Sequence, residues 1–148
     1  MRPRRLLAAL PLLLALALAL APGLAAAGDL LVTVQGIEGA EGLIRVAACP
    51  PEGYPDGTCP WVARAPAQPG TLELRIAGLP PGRYGVSAHH DVDGDGRLGK
   101  SWLGIPQEAV GFGNDAPIGR FGPPGFEAAA VTVPATGEAR TAVTLRYR

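Results

Sequence analysis

Asp91-Val92-Asp93-Gly94-Asp95-Gly96 sets three carboxylates on alternate residues and closes on glycine. Carboxylates at this spacing converge when the chain curls around a cation, and the glycine permits the sharp turn. The Arg97 carbonyl supplies a further oxygen, and Glu108 and Asp115 stand further along as more distant ligands. Hard oxygen donors in this pattern suit Ca²⁺. An EF-hand would need a bidentate Glu at the twelfth position, and Trp102 occupies it, so the motif is an EF-like loop outside that fold. The competing reading is a solvated Asp-Gly turn held by side-chain-to-backbone bonds.

His89 and His90 precede the acidic turn directly. Neighbouring strand residues face opposite ways, so the pair does not grip one ion while the strand stays regular. His90 shares the face of Tyr84, Val86 and Ala88 and is expected as a hydrogen-bonded residue at the rim of the core. His89 is expected to face outward. An enzymatic alternative builds a polar hydrolase site from Arg45, His89, His90 and Asp91. It requires ionisable groups converging in a pocket, and histidines that point apart tell against it. No nucleophile elbow, phosphate loop or HExxH pattern occurs in the chain.

The elements that must position these residues are strands. Leu72, Leu74 and Ile76 alternate with Thr71, Glu73 and Arg75, as a half-buried strand requires. Leu30, Val32 and Val34 form a second stripe, Gly42–Ala48 a third and Trp61–Ala65 a fourth. Tyr84, Val86 and Ala88 share a face, as do Val131 and Val133, and Val143, Leu145 and Tyr147. These make about seven strands separated by turn signals. The expected fold is an all-β, antiparallel Ig-like or transthyretin-like β-sandwich. Leu79-Pro80-Pro81-Gly82-Arg83-Tyr84 places a tyrosine just after a Pro-Gly corner, which predicts a tyrosine corner. Residues 91–125 show no alternation and are expected as one long Gly/Pro-rich loop.

The 148 residues hold 21 Gly and 16 Pro, a fraction that warns of disorder, but 47% hydrophobic content argues against it. Thirteen basic residues balance thirteen acidic ones, so charge gives no reason to expect nucleic-acid binding. Arg2, Arg4 and Arg5, the apolar run Leu6–Ala21 and the small residues Ala25-Ala26-Ala27 lay out a secretory signal peptide over 1–27. Cleavage there leaves one sandwich domain, 28–148, without the three leader arginines and hence net acidic. The exported chain is expected in the periplasm or outside the cell, as a monomer with no segment inserted in the membrane. Cys49 and Cys59 are the only cysteines, and in an oxidising compartment they predict a disulfide closing a short Pro/Gly-dense loop.

Five segments follow one another along the chain: Leu79–Tyr84, His90–Leu98, Leu103–Glu108, Gly111–Ala116 and Gly122–Ala129. This succession resembles the bacterial exported-protein family catalogued as domain of unknown function 2141. The resemblance covers nearly all of 28–148 and is strongest over 78–130. It implies a small secreted or periplasmic β-sandwich with no established activity. The family's acidic turn often carries Asn where this chain has Asp.

The expectation is therefore a non-catalytic exported module. It binds Ca²⁺ through Asp91, Asp93, Asp95, the Arg97 carbonyl and Glu108. The long loop presents Trp102, Phe112, Phe121 and Phe126 to a protein or glycan partner in the envelope. A small hydrolase and a purely structural envelope protein are the alternatives.

Overall fold

The computed structural model describes residues 25–147. Apart from 25–27, the expected leader lies outside the described residues. The elements in chain order are β1 (Gly28–Ile37), β2 (Leu43–Cys49), a 3-10 turn (Pro51–Gly53), β3 (Trp61–Pro66), β4 (Gly70–Leu79) and β5 (Gly82–Asp91). They continue as β6 (Val110–Phe112), a second 3-10 turn (Gly113–Asp115), α1 (Phe126–Ala129), β7 (Ala130–Val133) and β8 (Glu138–Thr144).

Two sheets face each other as an all-β sandwich. One runs β4-β1-β8; the other runs β3-β2-β5-β6, with β7 also paired to β5. Alternation decides which side chains lie between them. Leu30, Val32 and Val34 of β1, Leu74 and Ile76 of β4 and Val143 of β8 form one inner face. Ile44, Val46 and Ala48 of β2 and Tyr84, Val86 and Ala88 of β5 form the other. Burying each of the larger aliphatic side chains contributes about 1.5–3 kcal/mol. The Tyr84 hydroxyl donates to the Pro80 carbonyl at 2.7 Å, which makes the tyrosine corner that the Pro-Gly turn predicts. Cys49 and Cys59 are disulfide-bonded, as expected.

The structure differs from the sequence-based expectation in two ways. First, the sheets are antiparallel except where β1 pairs with β8 in parallel. After β7 the chain crosses from one sheet to the other and lays β8 beside β1, a long-range pairing that alternation does not reveal. Second, the irregular stretch 91–125 is not one loop. Asp91 ends β5, and β6 returns to pair with β5 through Ser87↔Phe112 and His89↔Val110. All three β6 residues are buried, so no alternation marked them. Gly111 is required there, because a Cβ would collide with the Thr144 carbonyl. Two irregular segments remain, 92–109 and 116–125, and the first folds back over the outer face of the β3-β2-β5-β6 sheet.

Candidate metal centre

The acidic turn grows directly from the end of β5. The register across to β2 sets Leu43 opposite Asp91 and Arg45 opposite His89. Gly42, at φ +71°, lets the β1–β2 turn press against the backbone of Asp91 and Val92, where a side chain would clash with the Asp91 carbonyl. Asp91 is thereby fully buried, while Asp93 and Asp95 remain exposed.

Backbone amides shape the turn. The Gly96 amide donates to Asp91 Oδ2 at 3.0 Å, the Asp95 amide to Asp93 Oδ1 at 3.1 Å and the Arg97 amide to Asp95 Oδ1 at 2.7 Å. Each acid spends one oxygen on the chain and keeps the other. One ligand atom from each of Asp91, Asp93 and Asp95 lies within 4.8 Å of the others. Oxygens on opposite sides of a Ca²⁺ ion stand up to about 5 Å apart, so the three fit one coordination shell. The Arg45 guanidinium lies 3.8 Å from Asp91 Oδ2. Asp91 Oδ1 is shielded from solvent and has no hydrogen-bond partner. An orphaned buried oxygen costs about 1–3 kcal/mol, and a cation would offset that cost.

Glu108 sits differently from the other acids. Its Oε1 accepts from the Val92 amide and its Oε2 from the Gly99 amide, both at 2.9 Å. It ties the start of the turn to its far limb, and its carboxylate groups with His89 and Asp91 instead of Asp93 and Asp95. Asp115 is elsewhere: it accepts from the amide and hydroxyl of Thr144 and pins β8.

The two histidines point apart. His90 Nε2 donates to the Glu41 carbonyl at 2.7 Å, and Nδ1 accepts from the Tyr147 hydroxyl at 2.8 Å, an assignment made from the network. That locks His90 at the core's rim. His89 leaves the opposite face, as alternation requires, but the returning loop covers it. Burial pushes its imidazole below the ordinary range; the charges of Asp91 and Glu108 pull it back only in part, and Arg45 adds to the lowering. Its Nε2 is buried and unpartnered. Of the residues in the hydrolase alternative, Arg45, His89 and Asp91 gather on one face and His90 turns away. The signal for His89 with Asp91 was present in the chain, since residues two apart on a strand share a face.

His89 and Glu108 line a cavity of about 1000 Å³ between this outer sheet face and the loop. Ser87, Arg97, Lys100 and Arg146 supply polar lining, and Leu98, Ile105 and Phe112 supply apolar lining. Of the aromatic residues expected at a contact surface, Phe112 is buried, and Phe126 packs edge-on against Tyr54 beneath Arg83. Trp102 is 91% exposed and Phe121 100%.

Residues 32–142 match the family model described as uncharacterised protein conserved in bacteria (DUF2141). The chain belongs to this family. The matched span runs from β1 into β8 and contains the acidic turn, both histidines and the disulfide. No curated protein and no solved structure matches the chain. No helix among the described residues is long and apolar enough to cross a membrane.

Proposed function

We propose that this member of the family is an exported, non-catalytic β-sandwich module whose acidic turn binds Ca²⁺. The observation that carries the reading is Asp91 Oδ1, buried without a partner at the base of a cluster whose other acids each keep an oxygen free. Calcium suits an all-oxygen donor set on a flexible turn. An ion at this point joins the end of β5 to the loop and holds Trp102 outward for a protein or glycan partner in the cell envelope, with Phe121 exposed on the separate segment that follows the second 3-10 turn.

Export to the periplasm or beyond is supported by the leader-like residues 1–27 and by the bonded cysteines, since disulfides persist in oxidising compartments. The test is thermal unfolding of the purified protein with millimolar Ca²⁺ and with chelator. Ligand binding to the folded state alone raises the melting temperature, here by several degrees for a site of the affinity common in extracellular modules. Identical melting in both buffers removes calcium from the account.

A further inference from the structure

A second group of ligand atoms adjoins the acidic turn and has different chemistry. His89, Asp91 and Glu108 each bring one donor atom within 4.8 Å of the others. His89 and Asp91 stand two apart on β5 and leave the same face of the sheet. Glu108 arrives from the returning limb, just before β6 pairs with β5 at Val110↔His89. Two atoms of these residues, His89 Nε2 and Asp91 Oδ1, are shielded from solvent and have no hydrogen-bond partner. Asp91 is fully buried.

The geometry points to a second metal site, in which His89, Asp91 and Glu108 hold a divalent first-row transition metal with Zn²⁺ as its type. An imidazole nitrogen is foreign to calcium's oxygen shell and suits zinc, nickel, copper and iron. Two carboxylates match the charge of a divalent ion. Donor atoms of a tetrahedral zinc stand about 3.4 Å apart, so the group draws together on the ion. The Val92 and Gly99 amides orient the Glu108 carboxylate and leave lone pairs on both oxygens, the kind of outer support that metal-ligating carboxylates receive. Three protein ligands leave a coordination position for water, the arrangement of an open zinc site. His89 and Glu108 line the loop-covered cavity, which sets the ion at its wall.

Asp91 belongs to both groups, but His89 and Asp93 separate them. The experiment titrates Co²⁺, a spectroscopic stand-in for Zn²⁺, into the purified protein without calcium. It follows the visible absorption and the paramagnetic shifts of the two histidine rings. The expected result is one bound Co²⁺ that shifts the His89 ring strongly and leaves the His90 ring in place. His89→Gln weakens Co²⁺ on the order of tenfold or more and leaves the melting response to Ca²⁺ unchanged. The double variant Asp93→Asn, Asp95→Asn keeps Co²⁺. Cobalt binding that is indifferent to His89→Gln, or a wild-type His89 ring that does not shift, overturns the site. The wild-type spectrum decides the matter even if the His89 variant does not fold. Loss of the calcium response alone leaves this site standing.

Discussion

The Gly96 amide donates to Asp91 Oδ2 at 3.0 Å and closes the acidic turn onto the last residue of β5. One oxygen of a fully buried carboxylate is thus committed to the backbone, and the other, Oδ1, is left without a partner. Asp91→Asn keeps the shape and an acceptor but removes the charge. In chelator the variant should unfold within about 1 kcal/mol of the wild type, because Asn still accepts from the Gly96 amide, and Arg45, 3.8 Å away, keeps part of its hydration. In millimolar Ca²⁺ the wild type should rise and the variant should not. Melting curves in the two buffers check both halves.

Glu108 holds the Val92 and Gly99 amides together, at 2.9 Å each. Glu108→Ala leaves both amides without their acceptor and should cost about 1–3 kcal/mol. The loss should be concentrated in the loop. Hydrogen exchange should accelerate at Val92 and Gly99 while the amides of β1 and β4 stay protected.

Cys49 lies fully buried at the end of β2, and its bond to Cys59 closes the short segment that follows β2. Replacing both cysteines with alanine should lower stability by about 2–3 kcal/mol, since the open chain regains the freedom that the closed loop denied it. Denaturant unfolding of the double variant beside the wild type measures it.

Every tyrosine in the chain resists ionisation. Burial, with help from the Asp56 charge, pushes the Tyr54 phenol up to about 12. Burial also raises Tyr84 and Tyr147, the latter with some help from the Glu38 charge against the opposing bond from the Glu38 amide. The folded protein therefore keeps these protons at a pH where the unfolded chain has begun to release them. Their contribution to stability is complete below the ordinary value of 10.0 and is lost as pH climbs toward about 12. The tyrosinate absorption band should stay small in the native protein through the ordinary tyrosine range and grow sharply when the protein unfolds.

Strand alternation made most of the sandwich legible. Leu72, Leu74 and Ile76 pack inward and their neighbours face solvent, as a period of two demands. Val110, Gly111 and Phe112 escaped because a strand buried on both faces carries no alternation, and a central glycine reads as loop. The parallel pairing of β8 with β1 depends on a crossing between sheets that local pattern does not encode. At the candidate site, the spacing of Asp91, Asp93 and Asp95 brought them to notice, because the residues that must converge are close in sequence. The grouping of His89 with Glu108 did not emerge, because it depends on a loop returning over a face that alternation alone would assign to solvent.

A crystal grown with Ca²⁺, with data collected for calcium's anomalous signal, shows directly whether the acidic turn holds the ion. One ion is expected at the acidic turn, with oxygens of Asp91, Asp93 and Asp95 at about 2.3–2.6 Å. Carboxylates splayed into solvent, with no anomalous peak among them, would contradict it.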